Sequence, residues 1–172
     1  MPRILVTPLS ALEDAIASHR PSHIVTLLSP EHMIETPAGF PADRHLKLGI
    51  NDVADPGAGD DPPARGHVEQ LLAFSRAWNT KEPLLIHCWA GISRSMASAY
   101  TVLCDRLGPG REVEIALAIR RRASHANPNP LLVSHADEVL GRGGRMVEAL
   151  AAMGPPLMVT EGVITAFPLA QL

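Results

Sequence analysis

Apolar residues in the first half of the chain fall into short β-branched runs that alternate with stretches of helical period. Ile4-Leu5-Val6-Thr7 reads as a strand, and Ser10 stands where an N-cap would open a helix over roughly 11–18. Pro21 ends that helix, and His23-Ile24-Val25-Thr26-Leu27-Leu28 reads as a second strand. Arg44-His45-Leu46-Lys47-Leu48 alternates polar and apolar residues, the pattern of a half-buried third strand. From Asn51 to Pro63 the density of Gly, Pro and Asp predicts a loop. Residues 64–78 then put Val68, Leu71, Leu72 and Phe74 mostly on one helical face. Pro83-Leu84-Leu85-Ile86 is too short for a helix and suits a buried central strand. Helices are predicted at about 94–107, 112–123, 131–140 and 142–152, separated by Gly108-Pro109-Gly110, Asn127-Pro128-Asn129-Pro130 and Gly141. The segment after Pro155-Pro156 reads as an added strand or hairpin, either an edge strand or a dimer contact. This alternation predicts an α/β fold, a central mostly parallel sheet flanked by helices.

The length of 172 residues suits one domain, with a core over about 1–152 and a C-terminal extension over about 153–172. Hydrophobic residues at 46% and charged residues at 19% describe a globular chain. A formal charge of −3 supplies no basic surplus for a polyphosphate backbone, and 3% aromatics leave little for base stacking. A nucleic-acid partner is therefore not expected. Pro8, Glu13 and Asp14 interrupt any apolar signal core, and no later run is apolar for long enough to span a bilayer. With Cys88 and Cys104 as the only two cysteines, the expectation is a cytoplasmic protein with free thiols and no membrane partner. The oligomeric state is left open.

The chemistry gathers in His87-Cys88-Trp89-Ala90-Gly91-Ile92-Ser93-Arg94-Ser95, between a predicted strand and a predicted helix. A helix N-terminus offers unpaired N–H groups and a partial positive charge, and a loop wrapped before it adds further donors for an anion. The same field favours a thiolate at Cys88. Arg94, where the loop closes, can take two phosphoryl oxygens with its planar fork. Gly91 permits backbone angles that other residues resist, and the Ser95 hydroxyl can donate toward the sulfur.

This segment resembles the signature loop of the cysteine-based protein tyrosine phosphatase superfamily: His-Cys, five residues, Arg, then Ser or Thr. The small size and the Gly-x-Ser-Arg-Ser ending are most similar to the dual-specificity branch and its compact bacterial relatives. The order of elements from about residue 44 to 135 agrees with it. The resemblance implies a phosphate-monoester hydrolase in which Cys88 takes the phosphoryl group and Arg94 binds it. Trp89, Ala90, Gly91, Ile92 and Ser93 would line the substrate, with His87 as a supporting hydrogen-bonder and Ser95 assisting departure of the sulfur. It implies no metal or other cofactor, and as substrate a phosphorylated protein or a small phosphate ester. An acid is expected some thirty-odd residues before the cysteine. Asp52 fits best, following the Leu46–Ile50 strand, with Asp55, Asp60 and Asp61 as the alternatives.

Other readings compete at particular residues. A phosphate-binding pseudophosphatase would keep the fold without turnover, but Cys88, Arg94 and Ser95 are all present. A sulfurtransferase or arsenate reductase would use the same thiolate, and both are disfavoured by the five-residue spacing or by the mid-chain position of Cys88. Trp89, Ala90 and Ile92 bring no charge to the loop, which disfavours an inositol-lipid substrate. Trp89 suits strand-end packing as well as a pocket wall. Cys104 reads as a core residue, and Pro21 prevents His19 and His23 from pairing on one helix. Arg120-Arg121-Arg122 reads as a solvated helix end, and the Asn-Pro-Asn-Pro segment as a turn able to buttress the loop.

Overall fold

Strands β1 (Arg3–Pro8), β2 (His23–Leu28), β3 (His45–Gly49), β4 (Leu84–Cys88) and β5 (Thr165–Pro168) form one sheet in the computed structural model, which describes all 172 residues. The strand order is β3-β2-β4-β1-β5. The first four strands are parallel, and β5 runs antiparallel to β1, pairing Val6 with Thr165 and Arg3 with Pro168. β4 is buried at every position, as its unbroken apolar run requires of a central parallel strand. It lies between β1 and β2, and its last residue, Cys88, sits level with Pro8 at the carboxyl edge of the sheet. Open parallel sheets place their ligand crevices at that edge.

Six helices complete the chain: α1 (Leu12–His19), α2 (Arg65–Ala77), α3 (Arg94–Leu107), α4 (Glu112–Arg122), α5 (Pro130–Leu140) and α6 (Arg145–Ala152). Their distribution over the sheet is unequal. Leu5, Ile24 and Leu85 pack with Leu12 and Ala15 of α1 on one face. Ile4, Val6, Val25, Leu27, Leu84 and Ile86 join the main core with residues of the other five helices. Burying a side chain such as Ile86 contributes about 1.5–3 kcal/mol. Helix α3 runs through this core, buried at every residue from Arg94 to Cys104, so its N-terminus is held rigidly against Cys88. No helix is long and apolar enough to cross a membrane.

Four expectations are corrected. Ser10 does not cap α1: a 3-10 turn over Leu9–Ala11 intervenes, Ala11 is the cap residue, and the Ser10 hydroxyl instead meets the Glu161 carboxylate. The alternation in β3 does not send every polar residue outward, because His45 is buried while Leu46 and Lys47 are half-buried. Helix α6 begins at Arg145 rather than 142, since Gly143 and Gly144 take positive φ values of 61° and 92°. Arg120 is not simply solvated, since it donates to the carbonyls of Met153, Ser124 and Gly154 and ties the C-terminal segment to α4.

Candidate active site

Between Cys88 and α3 the backbone is clamped from outside. The carbonyl of Trp89 accepts from Leu9 N at 3.1 Å, that of Ala90 from Gly162 N at 2.8 Å, and that of Ile92 from Asn127 N at 2.9 Å. The Ser93 carbonyl accepts from Ala97 N at 2.9 Å and Asn129 N at 3.2 Å. In a trans peptide the N–H of the next residue points opposite to the carbonyl, and the chain has no cis bonds. Each clamped carbonyl therefore turns the following amide, at Ala90, Gly91, Ser93 and Arg94, toward the hollow of the loop. None of the amides from Trp89 to Ser93 donates to another backbone group. The result is a nest of free N–H groups at a helix N-terminus, a site for an anion.

Gly91 is required where the loop passes under β1. Its φ is +70°, and a Cβ there would lie 2.7 Å from Pro8 N and 2.9 Å from the Thr7 carbonyl carbon. No side chain fits that approach.

The side chains converge on the same hollow, a cavity of about 460 Å³ lined by Cys88, Trp89, Ser93, Arg94, Asp52 and Asn129 among others. Cys88 Sγ lies 3.1 Å from Ser95 Oγ. Arg94 is 8% exposed, its Nη1 donates to the Ile50 carbonyl at 2.8 Å, and its buried Nε has no partner. An orphaned guanidinium N–H at the rim of an amide nest is a donor waiting for an oxyanion. Asp52 faces the cavity with Oδ1 accepting from Ser93 Oγ at 2.7 Å and from Asn129 Nδ2 at 2.9 Å. Asp55, Asp60 and Asp61 do not line the cavity. Asp55 closes its own turn by accepting from Gly57 N, while the carbonyls of Asp60 and Asp61 accept from Asn51.

His87 is fully buried behind the loop, its Nε2 2.7 Å from Thr26 Oγ1 and its Nδ1 3.4 Å from the Cys88 carbonyl. Burial lowers its pKa to about 4, so the ring is neutral at neutral pH. Trp89, 57% exposed, is a wall of the cavity rather than strand-end packing, and meets His32 edge to face at 5.5 Å between centroids. Cys104 is buried in the core with its thiol pushed up to about 12 by desolvation. No cluster of three or more His, Cys, Asp or Glu side chains is placed to hold a metal ion.

The residues that sequence reasoning missed belong to the surroundings of this loop. Asn129 is the chief one. Its Oδ1 caps α5 by accepting from Leu132 N at 2.9 Å, while Nδ2 reaches Asp52 and the Val53 carbonyl. The Asn-Pro-Asn-Pro turn carried a signal for it, though not for its contact with Asp52. Gly162 left no signal, because its role comes only from the C-terminal segment crossing over Ala90.

No family model matches the chain, and no curated protein matches it. Solved structures do. The crystal structure of DUSP15 superposes with a TM-score of 0.61 at 19% identity, covering 89% of this chain and 89% of that one. Human tyrosine phosphatase-like serine/threonine/tyrosine-interacting protein gives 0.61 at 19% identity, covering 78% of this chain and 88% of that one. PTPMT1 gives 0.56 at 18% identity, covering 83% of this chain and 94% of that one. The fold is that of the cysteine-based protein tyrosine phosphatase superfamily.

Proposed function

We propose that the protein hydrolyses phosphate monoesters through a phosphocysteine on Cys88, in the manner of dual-specificity and tyrosine phosphatases. The observation that carries this reading is the outward-clamped loop. Its free amides and the unpartnered Arg94 Nε surround the mouth in which the Cys88 sulfur lies.

The substrate phosphoryl group sits in the nest, its equatorial oxygens held by loop N–H groups and Arg94. That binding also suits the trigonal, charge-spread transition state better than the ground state. The Cys88 thiolate attacks phosphorus, the S–P bond forms, and the P–O bond to the leaving group breaks. Asp52 gives its proton to the departing oxygen. In the second step water attacks phosphorus and loses a proton to the Asp52 carboxylate. The S–P bond breaks, inorganic phosphate forms, and the sulfur leaves as a thiolate stabilised by the Ser95 hydroxyl. His87 holds the loop and takes no proton from substrate. The two donors on Asp52 Oδ1 orient the carboxyl and leave Oδ2 for the leaving group.

The exposed Trp89, braced edge to face by His32, gives the cavity an aromatic wall, which suits a phosphotyrosine ring or a related phosphoprotein side chain. PTPMT1 has also been seen in complex with PI(5)P. Phosphate release from a panel of phosphopeptides, inositol phosphates and nucleotides, run with EDTA present, tests the reading. Phosphopeptides should lead the panel, and turnover that disappears with EDTA and returns with metal would contradict it.

A further inference from the structure

The thin face of the sheet, covered by α1, carries a buried polar row across three adjacent strands: His45 on β3, Thr26 on β2 and His87 on β4. Thr26 and His87 are register partners, and His45 pairs with Ile24, two residues before Thr26 on the same face. Thr36 Oγ1 lies 2.9 Å from His45 Nδ1, His45 Nε2 lies 2.8 Å from Thr26 Oγ1, and Thr26 Oγ1 lies 2.7 Å from His87 Nε2. The last link, from His87 Nδ1 to the Cys88 carbonyl, is 3.4 Å.

The direction of the chain follows from its end. The Cys88 carbonyl only accepts, so His87 Nδ1 must carry the hydrogen. In the neutral ring Nε2 is then an acceptor. Thr26 has one hydroxyl hydrogen, and it goes to His87. The Thr26 oxygen must then accept from His45 Nε2–H, and His45 Nδ1 accepts from the Thr36 hydroxyl. The opposite polarity would aim a ring lone pair at a carbonyl oxygen. Both rings are held neutral by burial, and the neighbouring cations oppose further positive charge, Lys47 at His45 and Arg94 at His87.

We propose that Thr26 and His45 are positioning residues of the phosphate-binding loop, fixing His87 in the tautomer that donates from Nδ1 to the Cys88 carbonyl. Cys88 C=O and Trp89 N–H share one peptide plane. Holding that carbonyl outward aims the Trp89 amide into the nest, as the other clamps do for the amides beyond it. The inference rests on the reading of this loop as the phosphate site.

Long-range proton–nitrogen NMR of the imidazoles, alongside kinetics on p-nitrophenyl phosphate and binding of inorganic phosphate, tests it. The wild-type protein should show His87 protonated at Nδ1 only. Thr26→Val, which keeps the size and removes the hydroxyl, should lose that single tautomer. It should also weaken phosphate binding and kcat/KM by about tenfold, the scale seen when a group orienting a ligand is removed. Thr26→Ser should restore both. Thr36→Val, at the half-exposed end, should shift the His45 and His87 resonances the same way with smaller amplitude, which keeps the test open if Thr26→Val folds poorly. A wild-type spectrum with His87 protonated at Nε2 overturns the proposal, as does a folded Thr26→Val protein with unchanged spectrum and kinetics. An inactive wild-type protein whose His87 holds the Nδ1–H form and loses it in Thr26→Val would uphold the relay and refute the phosphatase reading instead.

Discussion

The hydroxyl of Ser93 donates to Oδ1 of Asp52 at 2.7 Å, joining the loop between β4 and α3 to a residue 41 positions earlier in the chain. Through this bond and the parallel one from Asn129, the proposed acid is seated over the cavity before any substrate arrives. A leaving alkoxide or phenoxide needs a proton in the transition state. Asp52→Asn should therefore lower kcat on phosphotyrosine by about 10²–10⁴-fold and less on an activated ester such as a difluorinated coumarin phosphate. It should also remove the alkaline limb of the pH–rate profile. Asn129→Ala should move in the same direction more weakly, while Asp55→Asn should leave all of these unchanged. If Asp55→Asn gives the signature and Asp52→Asn does not, the acid has been misassigned.

Arg94 tests the geometry of anion binding against its charge. Its Nη1 is already committed to the Ile50 carbonyl, and the buried Nε waits in the loop. Lys keeps the charge but has neither the fork nor the reach to both partners. Arg94→Lys should lose most of kcat and of inorganic phosphate binding, measured by steady-state kinetics and calorimetry. Near-normal values would place Arg94 outside the anion site.

Gly91→Ala should destabilise the protein by about 2–5 kcal/mol, combining a left-handed backbone cost with a clash against β1. For a chain of this size that is a drop of roughly 4–20 °C in Tm. Gly141 also has a positive φ, +64°, with a left-handed ψ of 41°, but nothing lies within 4 Å of where a Cβ would stand, so Gly141→Ala should cost only about 1–2 kcal/mol. Thermal melts of the two variants should separate them clearly. Equal losses would mean that the close approach of Gly91 to Pro8 is not what constrains the loop.

Much of this was legible in sequence because it is local. The strand, the loop from Cys88 to Ser95 and the helix after it are contiguous, so residue type and spacing alone mark out the candidate site. Asp52 was legible as the first of four candidates, since a loop rich in Asp, Gly and Pro does not reveal which carboxylate turns inward. Asn129, 77 residues from Asp52, and Gly162 act through contacts that no local pattern encodes. The polar row of His45, Thr26 and His87 was hidden for a different reason. Period-two alternation marks polar positions in a strand as exposed, and α1 with the segment after β2 covers that face here. The C-terminal strand was legible as a strand, but its pairing with β1 needed the fold.

Burial sets a pH dependence of stability. His45 and His87 are held at about 4, below the 6.5 of an unfolded imidazole. Between those values the unfolded chain binds more protons, so stability rises with pH across the window. It is retained in full above 6.5 and falls progressively as the pH drops toward 4, and the lowered His23, His67 and His125 add in the same direction. Melting temperatures recorded across that window should fall with acid, and His45→Asn should make the dependence shallower. A flat profile would show that these rings are not buried neutral.

The central claim is that Cys88 carries the phosphoryl group. Ser95 lies 3.1 Å from its sulfur and is assigned to help the thiolate leave, so Ser95→Ala should slow the second step and let the intermediate accumulate. The direct measurement is rapid quenching of Ser95→Ala with p-nitrophenyl phosphate into denaturant, followed by peptide mass spectrometry. The account predicts a burst of p-nitrophenol, a phosphoryl adduct on the Cys88 peptide, and neither of these when Cys88→Ser is added to the same background. A phosphoryl group on another residue, or turnover retained in Cys88→Ser, would contradict it.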